Sequence, residues 1–350
     1  MKKRILSILL CLCMAACMLP TVAFAADKGK AIQLGTNALN KNVNTATAPT
    51  VYFGQDHGDN PGAWRVIGYD GNGAAGIAGN MTLLAANNMG LSKFGASNVY
   101  ADSDLKEEID TLAGKLTAKE TDAVEKRTLV SGSYNRENTD CVAGAQVDNA
   151  VFWPLSTAEA SAVNNDLRIL NKEYPNWAMY YWWLRSPGET PFSAAFVHGS
   201  GAVCYYGEYY DLVEYGVRPA FNLNLNSVLF TSAAVDRKPD GGLTPISEYT
   251  GNEWKLTLLD SSRSFAVTEK AVSGDPGDTL TLHYNGATTG ANEYISVIIA
   301  DNNGAQYYGR VAQPTEATGT VEIKIPSDIA PGSYTLKIFS EQYNGDYKTD

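Results

Sequence analysis

The last third of the chain alternates apolar and polar residues over short segments. The pattern recurs in EWKLTLLD (253–260), DTLTLHYNG (278–286), YISVIIADNNG (294–304), TVEIKIPSD (320–328) and GSYTLKIFS (332–340). A period of two places successive side chains on opposite faces of a β-strand. Turn residues separate the segments at even spacing, so the pattern predicts an all-β sandwich.

The earlier part of the chain mixes two periods. Short β-rich segments at 50–55, 63–73 and 81–88 are separated by Gly, Asn and Asp, which indicates strands joined by turns. From Leu105 to Leu116, apolar residues then recur at the spacing of one helix face. We therefore predict a helical section between strands.

Two sequence patterns predict further helix starts. Thr117 with Glu120, and Ser156 with Glu159, have the spacing of capping boxes, in which each side chain bonds the other residue's backbone N–H. We expect a second helix after Thr117 and a short third helix after Ser156.

The N-terminus has the three parts of a secretory signal peptide. A basic start at 2–4 precedes an apolar run over 5–19, and small residues follow at 23–25. The run is shorter than the roughly 20 residues that a bilayer span requires, so we predict export with cleavage after Ala25. The stretch MAAC weakly resembles a lipobox, which leaves open a lipid anchor on Cys17.

Composition narrows the choice of partners. The formal net charge of −11 argues against nucleic acid, whose phosphates require a basic surface. Outside the predicted signal only Cys141 and Cys204 remain, too few for a disulfide framework, although one bridge stays open. They lack neighbouring Cys or His at zinc-ligand spacing.

Two elements combine an arginine with a following proline. WWLRSPG contains Trp182, Trp183 and Arg185, and Arg218 follows in YGVRPAFNLNL. A guanidinium carries five donors and can satisfy several buried loop carbonyls at once, so we predict that both arginines are structural. Because side chains alternate across a strand, we expect one tryptophan in the core and the other nearer the surface. An anion site at the two arginines is the alternative.

The order of these motifs resembles a bacterial domain family of unknown function, DUF6273. The resemblance covers about residues 50–228 and rests on WRVIG, LLAANN, the helix pair, DNAVFWPLSTAEA, WWLRSPG and GVRPAFNL. That family looks like a distant relative of the C-type lectin fold and of the formylglycine-generating enzymes. The resemblance implies an α+β fold with a few short helices and irregular twisted sheets. The last module, with IPSDIAPGSYTLKI, resembles an immunoglobulin-like sandwich.

The sequence contains only incomplete versions of known catalytic motifs. The formylglycine-generating enzymes use paired cysteines before the corresponding arginine element, whereas this chain has Cys204 alone there. The three histidines, His57, His198 and His283, form no H-E-x-x-H motif, and no G-x-S-x-G elbow is present. DHGDN at 56–60 has the residue types of a cation site, but a solvated turn is the preferred interpretation. We expect no cofactor and no catalytic residue.

The stretch VCYYGEYYDLVEY, residues 203–215, is the best candidate for a binding surface. It holds five tyrosines and three acidic residues, and tyrosine supplies large contact area at low entropy cost. In C-type-lectin-like folds the loop before the last strand forms the ligand face, which the resemblance implies here, together with ETPFS at 189–193. The alternative is an exposed hairpin whose tyrosines pack on the domain beneath. The candidate ligand-binding residues are Tyr205, Tyr206, Glu208, Tyr209, Tyr210 and Asp211.

The predicted organisation has five parts. They are a signal peptide (1–25), a flexible segment (26–49), a DUF6273-like domain (50–228), a β-rich connector (229–264) and an immunoglobulin-like sandwich (265–350), which we expect to stop short of a final strand. We predict a secreted or cell-surface, non-catalytic protein that binds an extracellular glycan or protein. We expect neither nucleic acid binding nor an integral membrane span. An enzyme with a site on the same face, or a structural module of a larger surface protein, are the alternatives.

Overall fold

The computed structural model of the chain describes residues 7–11, 32–33, 39–74, 76–136, 139–170, 180–234, 241–246, 249 and 251–350. The predicted cleavage point and Cys17 lie outside these residues. The chain divides into two compact units. The central unit comprises Ala38–Val228 with Asn252–Trp254, and the C-terminal unit comprises Met1–Asn37, Leu229–Gly251 and Lys255–Asp350.

Strands occur in both units of the described chain. In chain order the first thirteen are β1 (Ser7–Cys11), β2 (Ile32–Gln33), β3 (Thr50–Gln55), β4 (Pro61–Tyr69), β5 (Asn72–Gly73), β6 (Asn80–Ala85), β7 (Leu91–Ser92), β8 (Val124–Glu125), β9 (Arg127–Leu129), β10 (Val147–Ala150), β11 (Trp153–Pro154), β12 (Trp182–Pro187) and β13 (Ser193–Val197). The others are β14 (Val203–Tyr209), β15 (Tyr215–Gly216), β16 (Pro219–Asn224), β17 (Val228–Ala233), β18 (Thr244–Pro245), β19 (Glu253–Leu258), β20 (Ala266–Val267), β21 (Ala271–Ser273), β22 (Thr279–Asn285), β23 (Glu293–Asp301), β24 (Gly304–Ala312), β25 (Gly319–Lys324) and β26 (Ser333–Gln342).

Four short α-helices lie in the described residues of the central unit. They are α1 (Asp104–Ala113), α2 (Ala118–Ala123), α3 (Thr157–Ala162) and α4 (Asn165–Arg168), and 3₁₀ turns occur at Tyr100–Asp102 and Leu225–Ser227. The capping boxes predicted at the starts of α2 and α3 are confirmed, with both reciprocal hydrogen bonds present. No helix among the described residues is long and apolar enough to cross a membrane.

The α+β class predicted from the resemblance is wrong. Strands account for 43% of the structure and helices for 11%, which fits an all-β fold. The physical reason is the small size of the helical faces, since α1 buries only Leu105, Ile109 and Leu112. A helix forms where the sequence period predicts one, but it ends at Ala113. Strands supply most of the core.

The core of the central unit forms on an antiparallel sheet with the order β11-β16-β6-β4-β3. Trp64 of β4 packs edge-on against Phe221 of β16, with ring centroids 4.7 Å apart. Phe53 and Phe152 add rings 4.9 and 5.2 Å from Phe221. Such pairs add specific geometry to the large apolar area that each ring buries.

A second sheet of the central unit, with the order β14-β13-β12-β15-β7, carries the predicted binding stretch. The strand of the WWLRSPG motif, β12, lies inside this sheet between β13 and β15. The hairpin of β13 and β14 follows, with paired residues Ala194 and Glu208 on one side of a bulge and Phe196 and Cys204 on the other. This hairpin forms a sheet edge next to the buried WWLRSPG strand.

Among the described residues, the sheets β18-β24-β23-β26-β1-β21 and β20-β22-β25 lie within the C-terminal unit. Their inner faces share one apolar core that includes Leu282 and Ile323 from the smaller sheet and Val297 and Ile338 from the larger one. Strand β22 alternates exposed and buried residues along its whole length, as the sequence pattern predicts. Strand β1, within the predicted signal peptide, runs parallel to β26.

Candidate functional site

The two tryptophans and two arginines of the repeated motif are all buried. Trp182, Trp183 and Arg185 have no exposed surface, and Arg218 is 1% exposed. Burial of both arginines agrees with the structural interpretation, but the prediction that one tryptophan lies nearer the surface is wrong. Strand β12 is an inner strand that is covered on both faces. The Arg218 guanidinium lies 4.9 Å from the Trp182 ring, and Phe94 packs edge-on against Trp183 at 5.7 Å.

Arg185 is held by carboxylates. Its Nη1 donates to Glu159 and to the Pro154 carbonyl, and its Nη2 donates to Asp140 Oδ1 at 2.9 Å. Arg127 reaches the other oxygen of Glu159 at 2.7 Å. Burial alone would raise the pKa of Glu159, but the charge and hydrogen bond of Arg185 and the charge of Arg127 lower that pKa to about 2. The charge of Arg185 is therefore compensated inside the core.

Arg218 has no such compensation within the described residues. Its Nε donates to the Ala85 carbonyl at 2.8 Å, and its Nη atoms donate to the Arg168 and Leu167 carbonyls at 3.1 and 2.7 Å. These bonds are what the sequence predicts for a structural arginine. Burial, together with the charge of Arg65, lowers the pKa of Arg218 to about 9. Within the described part of the chain, carbonyls and an aromatic face thus hold the Arg218 guanidinium without a carboxylate partner.

An aromatic cluster anchors the hairpin of β13 and β14. Tyr215 stacks on Tyr181 at 5.1 Å and contacts Trp183 at 4.7 Å and Phe196 at 5.2 Å. Tyr215 is only 3% exposed, so this member of the tyrosine-rich stretch belongs to the core. Burial raises the pKa of Tyr215 well above its usual range. The cluster gives the hairpin a packed base.

Four large apolar side chains project from the hairpin and its flanking turns. Phe192 is 60%, Tyr206 54%, Tyr209 54% and Leu212 68% exposed. We refer to these four residues as the hairpin face. They are half of the large apolar residues that the described chain exposes, and the other four are Ile77, Val130, Leu259 and Tyr347. Apolar exposure in the described residues is therefore concentrated in one short segment.

A bulge at Gly207 shapes this face. Gly207 adopts φ +86°, and a Cβ there would lie 2.7 Å from the Ala194 carbonyl oxygen, so only glycine fits. The strand register shifts between Ala194 and Phe196. From Ala194 to Phe196 β13 advances two residues, whereas the paired β14 advances four, from Glu208 to Cys204, so the stretch around Gly207 interrupts the regular alternation. Tyr206 and Tyr209, which flank this stretch, are both exposed.

The other predicted residues have mixed roles. Tyr205 is half-buried and hydrogen-bonds Arg136, which raises the pKa of that arginine. Glu208 is half-buried and accepts from the Tyr209 backbone N–H at 3.0 Å. Tyr210 is half-buried, and its carbonyl accepts from the backbone of Phe94. Asp211 is exposed. The structure thus brings all six predicted residues to one hairpin and its turn, but only part of them is free to contact a ligand.

Residues 96–225 match one family model, described as "Domain of unknown function (DUF6273)". These residues form a DUF6273 domain. The match confirms the resemblance over that part of the chain and includes both arginine motifs and the hairpin face. No curated protein and no solved structure matches the chain.

Tyrosine content alone does not predict two exposed residues of the hairpin face. Phe192 lies in ETPFS, which the sequence associates with the face only as a segment, and Leu212 follows Asp211 in an acidic turn. The signal in the sequence is an apolar residue within a polar turn. An apolar residue in such a turn can be buried or exposed, and both Phe192 and Leu212 are exposed.

Catalytic arrangements in the DUF6273 domain are poor. Cys204 is buried, which raises the pKa of its thiol and disfavours the reactive thiolate, and Cys141 and Cys204 are unbonded to each other. His198 bonds Ser200 Oγ at 2.9 Å and Tyr181 Oη at 3.0 Å, but the serine lies only two residues along a turn. This is the geometry of a local turn, and the imidazole is oriented by hydroxyls, whereas a catalytic triad uses a carboxylate.

The DHGDN loop, which precedes the matched residues, is a turn held by a lysine. Lys115 Nζ donates to the carbonyls of Asp56 and His57 at 2.8 and 2.9 Å and to Asp59 Oδ1 at 2.8 Å. An ammonium thus lies where a bound cation would have to lie. Among the described residues no group of three His, Cys, Asp or Glu side chains has the arrangement of a metal site.

Proposed function

We propose that the protein is a secreted, non-catalytic binding protein and that the hairpin face contacts a protein ligand. The observation that carries the proposal is the concentration of exposed Phe192, Tyr206, Tyr209 and Leu212 on one packed hairpin. Exposed apolar patches rimmed by polar residues mark interaction sites, because their exposure to water is otherwise unfavourable. The signal-like N-terminus supports export, and the immunoglobulin-like resemblance of the last module supports an extracellular role.

The composition of the face favours a protein over a glycan. Phe192 and Leu212 have no group that could bond a sugar hydroxyl, and they are its two most exposed members. Glu208 of the rim already accepts a backbone hydrogen bond. Aromatic and aliphatic anchors that fill shallow apolar pockets are typical of protein interfaces. A glycan ligand, recognised by stacking on Tyr206 and Tyr209, is the second candidate.

The charge around the face favours a basic partner. Glu189, Asp211 and Glu214 lie near the four apolar residues in sequence, and Glu208 lies between the two exposed tyrosines. Complementary charge raises the rate of encounter and suppresses acidic partners. Because exposed charges are screened by salt, the affinity should fall as ionic strength rises.

The test uses displayed peptides with the exported chain as bait. A randomised peptide library should yield ligands that combine aromatic or aliphatic residues with Lys or Arg. Binding of the enriched peptides is then measured by calorimetry for the parent and for a triple variant, Tyr206→Ala, Tyr209→Ala, Leu212→Ala. A matched triple variant, Ile77→Ala, Val130→Ala, Leu259→Ala, removes other exposed apolar residues.

We expect the hairpin variant to lose binding and the matched variant to keep it. Each exposed substitution changes the free energy of unfolding by about 0.5 kcal/mol or less, so neither triple variant should lose more than about 1.5 kcal/mol. Equal peptide binding by the hairpin variant would place the ligand elsewhere. A glycan array whose signal disappears in the hairpin variant, with no peptide enriched, would favour the second candidate.

A further inference from the structure

Lys255 and Asp350 form a buried ion pair within the C-terminal unit. Lys255 Nζ lies 2.7 Å from Asp350 Oδ1, and neither side chain has more than 2% of its surface exposed. The backbone fixes this contact, because the Asp350 N–H donates to the Leu256 carbonyl at 3.0 Å and the Asp350 carbonyl accepts from the Leu258 N–H at 2.8 Å. The amine and the carboxylate are therefore held together in one geometry, which is the condition that accelerates a reaction between two groups.

The contact is short enough for a covalent bond to form with little movement. A carboxyl C–O bond is about 1.2 Å long, so the Asp350 Cγ atom lies no more than about 4 Å from Lys255 Nζ. Reacting atoms in a near-attack geometry are about 3–3.5 Å apart. The pair of Lys115 and Asp59 is similarly close, at 2.8 Å, but its aspartate is 75% exposed and solvated by water. Burial thus distinguishes the pair of Lys255 and Asp350.

A second cation lies near the Lys255 amine. Lys255 Nζ is 4.5 Å and the Arg310 guanidinium carbon 4.2 Å from the centre of the Tyr343 ring. Burial and a neighbouring like charge both favour a neutral amine over an ammonium group. Nζ also donates to the Gly345 carbonyl, which orients the amine. Transfer of one proton from Nζ to Asp350 removes two buried charges and gives the uncharged amine that acts as a nucleophile.

Arg310 supplies donors at the other oxygen of the carboxylate. Its Nη2 lies 3.7 Å from Asp350 Oδ2, and its Nε lies 3.7 Å from Glu341 Oε2. The three guanidinium nitrogens are buried and make no hydrogen bond to a described residue. Such buried donors call for a specific explanation. When an amine attacks a carboxyl carbon, negative charge develops on the carboxyl oxygens, and Arg310 is placed to stabilise that charge.

Bond formation also leaves the buried charges balanced. The site contains two cations and two carboxylates, namely Lys255, Arg310, Glu341 and Asp350. An amide between Lys255 and Asp350 removes one charge of each sign and leaves Arg310 with Glu341. Because buried charges are costly even when they are paired, this loss of two charges favours the covalent product.

We propose that the protein joins Lys255 to Asp350 through an intramolecular amide bond. Nζ gives one proton to the carboxylate, and its lone pair then forms a bond to Cγ. The Cγ–OH bond breaks, and the hydroxyl leaves as water with a second amine proton. The step needs no other reactant, since an ammonium and a carboxylate contain all the atoms of one amide and one water. The bond closes residues 255–350 of the C-terminal unit and is independent of a ligand at the hairpin face.

The test is tandem mass spectrometry of the full chain, denatured and then digested with trypsin. We expect a branched peptide that joins Lys255 to Asp350 and weighs one water less than its two parts, with no cleavage after Lys255. The exposed pair of Lys115 and Asp59 is the internal control and should be found unlinked in the same digest. Absence of the branched peptide from the folded parent, or an equal yield of a link between Lys115 and Asp59, would overturn the proposal.

Three variants assign the link to its residues. Lys255→Arg keeps the positive charge but replaces the amine with a weakly nucleophilic guanidinium, so the branched peptide should disappear. Asp350→Ala should abolish it as well, whereas Lys324→Arg, at an exposed position on β25, should leave it intact. Circular dichroism shows whether each variant is folded, and the parent digest decides the question even where a variant is not. A branched peptide that survives in Lys255→Arg would place the link at another lysine and contradict the proposal.

Discussion

The two arginine motifs of the DUF6273 domain each bury a guanidinium group, but they bind it with different partners. Arg185 and Arg218 are both fully buried and each is followed closely by a proline. Arg185 pairs with Glu159 and Asp140. Arg218 has three backbone carbonyls and the face of Trp182. Similar local sequences therefore produce one arginine paired with carboxylates and one that, among the described residues, is bound by carbonyls alone.

The two arginines therefore differ in how their positive charge is balanced among the described residues. A buried ion pair hides both charges, and removing one partner leaves the other uncompensated. Carbonyl oxygens satisfy N–H groups but cancel no net charge. The carboxylates of Glu159 and Asp140 make the alternative of an anion site, which the sequence leaves open for the two arginines, unnecessary for Arg185.

The largest effect should come from breaking the ion pair. Arg185→Met should lower the free energy of unfolding by about 3–5 kcal/mol, because Glu159 loses its buried partner and keeps only Arg127, while the Pro154 carbonyl loses its donor. Urea unfolding followed by the fluorescence of the buried tryptophans measures the change. Arg127→Met is the matched control, since its partly exposed pair with the same glutamate should contribute about 1 kcal/mol or less. Equal losses in the two variants would contradict the comparison.

A smaller loss is expected when the carbonyl-bound arginine is removed. Arg218→Ala should cost about 2–4 kcal/mol, since the carbonyls of Ala85, Leu167 and Arg168 lose their donors. No buried carboxylate is left behind, and the repulsion with Arg65 disappears, so the loss should be less than that of Arg185→Met. The same unfolding measurement ranks them. A variant with the parent stability would show that Arg218 is not structural.

The sequence predicts these features unequally, because some are local and others depend on tertiary packing. The capping boxes of α2 and α3 depend on residues three apart, and they form as predicted. The alternation of β22 likewise appears directly in its burial. The predicted overall class is wrong, since the helical period of α1 gives no information about how many strands surround it.

The partners of a buried side chain are the least predictable feature. The sequence predicts only a capping role for Glu159, yet this residue also neutralises Arg185, twenty-six residues further along the chain. Arg65 occupies an ordinary strand position, and its place beside Arg218 arises because β4 and β16 both pair with β6. Composition locates the tyrosine-rich stretch, but burial of Tyr215 and exposure of Leu212 depend on packing.

The ion pair also predicts how stability depends on pH, with the smallest expected effect. The pKa of Glu159 is about 2 in the fold, below its usual value of 4.5. A depressed carboxyl pKa contributes stability above the unfolded value, and that contribution is lost as pH falls from about 4.5 through about 2. The loss is at most on the order of 3 kcal/mol. Melting temperatures measured across this window should therefore fall steeply in the parent chain.

Glu159→Gln supplies the decisive comparison. This variant should be less stable than the parent at neutral pH, because Arg185 loses its buried counter-charge. Its melting temperature should fall less steeply between pH 4.5 and 2, since the carboxyl that titrates there is absent. Glu125→Gln, at an exposed position, should keep the parent slope. A parent-like slope in Glu159→Gln would mean that another carboxylate carries the acid dependence, and Arg185 would then differ less from Arg218 than their contacts indicate.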